Sequence, residues 1–291
     1  MKPAAFDYHA PASATEAAEL LAELGDEAKV LAGGQSLIPM LALRLAVFEH
    51  LVDIGRIGEM KGIERRDGHL RVGAGTTEAA VGASAEVAAA VPLLARATPH
   101  IGHVQIRNRG TLGGSIAHAD PAAEYPAVAL ALDATMEVLS PRGRREIAAA
   151  DYFDGLWSTT MSADELLTGV SFPMWDGRSG FAIEELSRRH GDFAVAGATV
   201  GVELDADDRI RRCAIGLIGM GSTPRRAGGA ESEVAGRPIG EVDPQEVGRL
   251  ATSGLDGVPE DLHGSAAYRR RVGAEMVARA WAAASEEARG G

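Results

Sequence analysis

The residues whose types and spacing could do chemistry lie in two short glycine-bearing segments, Ala32-Gly33-Gly34-Gln35-Ser36 and Thr111-Leu112-Gly113-Gly114-Ser115. Each brings a strand or extended stretch to a Gly-Gly pair, sets a hydroxyl residue close by, and runs on into an apolar, helix-like stretch. Glycine pairs allow φ > 0 and remove side chains, so backbone N–H groups can converge on an anion. Ser36, Thr111 and Ser115 add hydroxyl donors. One such pair reads equally well as an ordinary tight turn. Two of them, in adjacent blocks of the chain, could grip a diphosphate from both sides.

Other patterns carry less. Gly73-Ala74-Gly75-Thr76-Thr77-Glu78 begins like a dinucleotide fingerprint, but Glu78 stands where the third glycine belongs and its carboxylate would repel a pyrophosphate. Gly113 to Ala117 resembles a nucleophile elbow with Ala in place of the last Gly, and Ser115, His118 and Asp120 are too close in sequence for an ordinary triad. His100, His103 and His118 read as scattered histidines before they read as metal ligands. Ser187-Arg188-Arg189-His190-Gly191-Asp192-Phe193 reads first as a solvated basic turn between strands, and alternatively as a loop that presents Phe193, one of few aromatic residues, to a planar ligand.

The elements that must position these residues can be read from periodicity. A capping box at Ser13-Ala14-Thr15-Glu16 opens a helix with Leu20, Leu21 and Leu24 on one face, and Gly25 stops it. Lys29–Leu31 and His50–Ile54 read as buried strands around the first glycine segment, a βαβ-like opening. His69–Val72, Ala-rich helices over about 77–101 with Pro92 at N1, a helix over about 122–132, and strands at 135–139 and 165–172 form a second block. After a composition break at 174–180, strands 194–204 and 209–218 flank an Asp-rich hairpin turn. Helices at about 244–254 and 266–287 close the chain, the last with Tyr268, Val272, Met276, Ala280 and Ala284 as a stripe. The fold class is α+β.

Composition narrows the function. The chain has 291 residues, 36 of them glycine, well above the ~7% that is typical. Its formal charge of −12 argues against nucleic-acid binding. Its lone cysteine, Cys213, excludes an internal disulfide or an iron–sulfur cluster held by this chain. No apolar run is long enough for a transmembrane helix and no signal-peptide stretch follows Met1, so a soluble cytoplasmic protein is expected.

Ala32-Gly33-Gly34-Gln35-Ser36-Leu37-Ile38-Pro39-Met40, with Leu43-Arg44 after it, resembles the first flavin loop of the medium subunit of molybdenum hydroxylases, the group of carbon monoxide dehydrogenase medium subunits and xanthine dehydrogenase FAD subunits. Thr111 to Pro121 resembles the second loop. The likeness extends through Asp53-Ile54-Gly55-Arg56-Ile57, Arg188 to Phe193 and Tyr268-Arg269-Arg270, and so covers nearly the whole chain.

The resemblance implies a two-subdomain FAD-binding fold of the vanillyl-alcohol-oxidase type, residues 1–57 and 58–176, and a C-terminal α/β domain, 177–291, with an antiparallel sheet and helices. Residues 32–36 and 111–115 would hold the FAD diphosphate. Glu124 falls at the position of an acidic residue on the cofactor's hydroxyls, Ile101 at an apolar position beside the isoalloxazine, and Phe193 where some members place a Tyr over the ring. It also implies partners: a small subunit with [2Fe–2S] clusters, fed by a large molybdopterin subunit, in a dimer of heterotrimers that passes electrons to an external acceptor. The low cysteine count speaks against the 4-hydroxybenzoyl-CoA reductase branch, whose flavin subunit carries a further cluster. A stand-alone flavin oxidase of the same fold and a non-catalytic nucleotide-binding scaffold are the alternatives. The substrate is not legible, because it would contact the large subunit.

Overall fold

Ser13 accepts a hydrogen bond from Glu16 N at 3.1 Å and opens the helix Ala14–Leu24 in the computed structural model, which describes residues 2–290. Glu16 returns its carboxylate to Ala12 N at 2.7 Å, one residue earlier than in a regular capping box. Gly25, at φ 58°, ends the helix. The buried face of Ala14, Ala17, Ala18 and Leu21 lies between two sheets. One is parallel, in the order Asp7–His9, His50–Asp53, Ala28–Leu31.

The other is a five-stranded antiparallel sheet in the order Ile63–Arg66, His69–Gly73, Leu166–Pro173, Thr135–Ser140, Gly143–Ala148. Both of its edge strands escape the sequence reading. They carry Glu64-Arg65-Arg66 and Arg144-Arg145-Glu146, charged runs that look like loop but suit an exposed edge. The expected Ala-rich helical stretch is broken into Glu78–Ala83, Ala85–Ala90 and Pro92–Ala97. Thr77 and Ser84 cap the first two through hydrogen bonds from Ala80 N and Val87 N, both 3.2 Å.

The C-terminal sheet is antiparallel, in the order Arg178–Ser187, Ala194–Leu204, Ile210–Ile218, Arg225–Arg226. Its first strand and the helix Gly228–Val234 are further elements that the sequence pattern does not announce. The helices Pro244–Thr252 and Ala266–Ala288 pack on each other, and the longer one covers the sheet. Met276, Val277, Ala280, Trp281 and Ala284 form its buried face, whereas Tyr268, at the end of the expected stripe, is 36% exposed. The helix Glu124–Ala131 is buried all round, because it lies among the short helices of the second block and the inner strands of the C-terminal sheet. One apolar core runs through the first two sheets and takes in Phe181, Ile183, Ala194 and Ile218 of the third. No helix among the described residues is long and apolar enough to cross a membrane.

Candidate functional site

The first glycine segment leaves the parallel sheet at the end of Ala28–Leu31 and turns at Gly34, φ +72°. Gln35 Nε2 donates to Gly33 O at 3.0 Å and steadies the turn. Ser36 precedes the helix Leu37–Leu43 without capping it, so its hydroxyl is free. The backbone N–H groups of Gly33, Gly34, Gln35 and Ser36 meet no acceptor among the described residues. Four consecutive donors without partners form an anion-receiving surface.

The second segment is built differently. It is the start of the helix Leu112–His118, with Thr111 as its N-cap, and not a loop. Leu112 N donates to Thr76 O (3.0 Å), Gly113 N to Ala74 O (2.9 Å), Gly114 N to Thr111 Oγ1 (3.0 Å) and Ser115 N to Thr111 O (3.0 Å). The backbone donors of Leu112 to Ser115 are therefore spent within the protein, and what the segment presents is Thr111 N, which meets no acceptor among the described residues, and the hydroxyls of Thr111 and Ser115. The two segments meet. A Cβ on Gly33 would stand 2.2 Å from Arg109 O, and a Cβ on Gly114 would stand 3.6 Å from Ala32 Cβ. Gly113 lies against Ala74, where a Cβ would approach the Ala74 side chain to 2.4 Å. These glycines permit close approach of backbone; only Gly34 uses the left-handed region.

Beside the second segment lies a group of buried acids. Glu78 begins its helix under Gly110 and is 4% exposed, and burial pushes its carboxyl up to about 7 against the pull of Arg107. Glu124 is 5% exposed. Burial first, then the charge of Glu185, pushes it up to about 8. Ile101 is half-buried, and Arg107 Nη1 donates to the carbonyls of Ile101 and Gly102, both at 2.8 Å, fixing that loop. The 188–193 turn rests on the same loop, because Gly191 touches Gly102 and His103. Ile101 and Phe193 thus stand on adjoining loops, with Phe193 60% exposed. Sequence reasoning passed over Arg107 and Glu185 and read His100 only as one of three scattered histidines. Glu78 it read only as an obstacle to a pyrophosphate.

The competing chemistries dissolve in three dimensions. His118 stacks on Trp157, and Asp120 accepts from Trp157 Nε1 at 3.1 Å, so no triad forms with Ser115. His100 pairs with Glu185, while His103 lies near His190. Cys213 is buried in the C-terminal core, and burial pushes its thiol up to about 12. A cleft of about 770 Å³ between the helices Pro244–Thr252 and Ala266–Ala288 is lined by none of the residues of the two glycine segments.

Open backbone donors at one glycine segment, set against a second segment and beside buried acids, suit an anionic ligand such as a diphosphate, and comparison with known proteins makes the assignment. Residues 4–175 match the family described as the FAD-binding domain in molybdopterin dehydrogenase, and residues 181–284 match the CO dehydrogenase flavoprotein C-terminal domain. The 6-hydroxypseudooxynicotine dehydrogenase complex subunit alpha of Paenarthrobacter nicotinovorans is 41% identical, over 99% of this chain and 97% of its own. The carbon monoxide dehydrogenase medium chain of Hydrogenophaga pseudoflava is 38% identical over 98% of each chain. A solved structure of carbon monoxide dehydrogenase from that organism superposes with a TM-score of 0.95 over 99% of both chains, at 38% identity. The chain belongs to the medium, FAD-binding subunit family of molybdenum hydroxylases; it is an oxidoreductase subunit and FAD is its cofactor.

Proposed function

We propose that this chain holds FAD between its two glycine segments and relays electrons within a three-subunit molybdenum hydroxylase. The observation that carries the reading is the row of four unpartnered N–H groups at Gly33–Ser36, set against the segment that presents the Thr111 and Ser115 hydroxyls. That donor set fits a diphosphate. When bound, FAD supplies a ring that accepts electrons as pairs or singly.

The protein's part is to hold and orient. Gly33, Gly34, Gln35 and Ser36 would take the diphosphate through backbone N–H groups, and Thr111 and Ser115 through hydroxyls. Ala32, Leu112, Gly113 and Gly114 keep the two segments in contact. Glu124, protonated up to about pH 8, would meet the cofactor's hydroxyls without placing a second charge beside the phosphates. Ile101 would give the ring an apolar floor, and Phe193 would cover it. We assign the FAD-binding subdomains to residues 1–57 and 58–176 and the C-terminal domain to 177–291.

With one buried cysteine, the chain needs a donor on another chain. We assign that role to a [2Fe–2S] small subunit fed by a molybdopterin large subunit, in a cytoplasmic dimer of heterotrimers that discharges to an external acceptor. Ile38, Leu43, Leu45 and Val47, exposed just after the first segment, offer an apolar surface for a partner chain. Relatives at 41% and 38% identity are named for 6-hydroxypseudooxynicotine and for carbon monoxide, which supports placing substrate choice on the molybdopterin chain.

The test is expression with and without the neighbouring molybdopterin and ferredoxin-like chains. The purified subunit is expected to be yellow, with about one FAD per chain, and its flavin to be reduced by substrate only when all three chains are present. A folded subunit that takes up no FAD would sink the reading. Turnover of a small alcohol by this chain alone would replace it with a stand-alone oxidase.

A further inference from the structure

The cleft between the helices Pro244–Thr252 and Ala266–Ala288, about 770 Å³ in volume, takes no part in the reading above. Two rows of side chains at a spacing of four residues line it. Gln245, Arg249 and Ser253 form one row, and Arg271, Glu275 and Arg279 the other. Below them the two backbones touch, because a Cβ on Gly248 would stand 2.1 Å from Ala274 O. Leu186 and Val272, both half-buried, give the cleft an apolar surface, and Arg270 adds a fourth guanidinium.

This basic lining belongs to a chain whose net charge is −12. Its four arginines meet one acid in the cleft, and that acid is already satisfied. Glu275 Oε1 accepts from Arg279 Nε at 2.7 Å, and Oε2 accepts from Gln245 Nε2 at 3.2 Å. Glu184, outside the lining, also acts on Arg279. Arg249 is exposed and pairs with no acid among the described residues, since Glu246 on the same helix turns to Arg237. Arg271 is exposed and rests only over the Tyr268 ring, 5.6 Å from its centroid. Arg270 gives Nη2 to Leu255 O at 2.8 Å. Guanidinium groups take carboxylates in paired hydrogen bonds. An apolar surface edged by them therefore matches a segment with carboxylates on either side of an apolar side chain.

Charge also says what kind of partner this is. Faces that join obligate subunits are mainly apolar, and Ile38, Leu43, Leu45 and Val47 supply such a surface elsewhere. A charged cleft instead steers a partner that comes and goes. Leu186, at its edge, leads through the exposed Arg188 and Arg189 to Phe193, so the basic surface continues toward the turn assigned to the flavin. We propose that this cleft docks a carboxylate-rich segment of a protein partner that binds the assembled enzyme transiently. The carboxylates pair with Arg249 and Arg271, and an apolar side chain sits against Leu186 and Val272. The proposal rests on the functional reading above only for what the assembled enzyme is.

The probe is a fluorescein-labelled peptide of four glutamates around one leucine, followed by fluorescence anisotropy with the full-length chain and with the three-chain enzyme. It is expected to bind both, and to bind about tenfold more weakly as salt rises from about 0.05 to about 0.5 M. Arg249→Glu and Arg271→Glu are each expected to weaken binding about tenfold, and Arg249→Gln about threefold. Arg144→Glu makes the same charge change on the exposed edge strand Gly143–Ala148 and is expected to change binding less than about twofold. Arg249→Gln decides the matter if a charge reversal does not fold. No loss in the cleft variants, or an equal loss in Arg144→Glu, overturns the proposal. Binding to the full-length chain but not to the three-chain enzyme also overturns it, because another subunit then fills the cleft. ADP that binds more tightly than the peptide, with the same dependence on Arg249 and Arg271, makes the cleft a small-anion site and overturns it as well. A chain that takes up no FAD overturns the functional reading instead, and peptide binding to the full-length chain still decides this proposal.

Discussion

The two glycine segments share a sequence pattern and differ in what they do with it. Around Gly33 and Gly34 the backbone donors are open, and Ser36 caps nothing. Around Gly113 and Gly114 the backbone donors of Leu112 to Ser115 are all consumed, Thr111 is committed as a helix cap, and Thr111, Leu112 and Gly113 are buried. In the proposed reading the first segment is the receptor, and the second is a wall that keeps the receptor in shape and adds hydroxyls. A Gly-Gly pair is therefore a statement about close approach, and only the neighbouring acceptors decide whether N–H groups are left over for a ligand.

The contrast can be broken most forcefully at the contacts that join the segments. Gly33→Val and Gly113→Val place a Cβ 2.2 Å from Arg109 O and 2.4 Å from Ala74 Cβ. Both should abolish flavin absorbance. Gly113→Val should also lower the melting temperature more, because its neighbour is core while Gly33 lies at the surface of the receptor. Equal effects on stability would erase the distinction.

The acids beside the second segment give the next largest effect. Glu78 and Glu124 titrate near 7 and 8 in the folded protein against an ordinary 4.5. The folded state therefore holds extra protons over that interval. Their stabilising effect is complete below about pH 4.5 and is lost as pH rises through 7–8. Apoprotein stability should fall between pH 5 and 8.5 by on the order of a few kcal/mol, and Glu124→Gln should flatten most of that slope in denaturant titrations at several pH values. A slope unchanged in the variant would remove Glu124 from this account.

Two hydroxyls sharpen the comparison further. Thr111→Ala should cost about 1 kcal/mol of stability, the worth of an N-cap. Ser36→Ala should change stability by less than about 0.5 kcal/mol while weakening FAD binding about tenfold, as expected for a hydrogen bond to a charged group. The reverse assignment of these effects, measured by melting and by fluorescence titration, would exchange the roles of the segments. The smallest effect belongs to Phe193. At 60% exposure, its replacement by Ala should leave stability within about 0.5 kcal/mol and register only in the visible spectrum of the bound flavin.

Much of this was legible beforehand, and the exceptions have physical causes. The first helix, with Ser13 and Gly25 at its ends, the parallel strands around the first segment, the hairpin at 205–208 and the last helix all follow from caps and periodicity. The edge strands with Glu64-Arg65-Arg66 and Arg144-Arg145-Glu146 were hidden because an exposed edge has no apolar alternation to detect. The start of Leu112–His118 was hidden because glycine carries little helix propensity, and Thr111 reads as a cap only once Gly114 N is seen to donate to it.

What the sequence by itself determined is the family pattern: two glycine segments in order with hydroxyls beside them, whose resemblance to a known family implies a flavin, and one cysteine, too few for a cluster held by this chain. Those properties reside in residue type and local spacing. What only the tertiary structure decided is which groups are left without partners. Whether Gly33 N or Gly113 N is free, whether Glu124 is ionised, and whether Glu185 is paired all depend on atoms far away in the chain, Ala74, Thr76, His100 and Arg107 among them. Hydrogen-bond satisfaction and desolvation are properties of the assembled neighbourhood, and no local pattern encodes them.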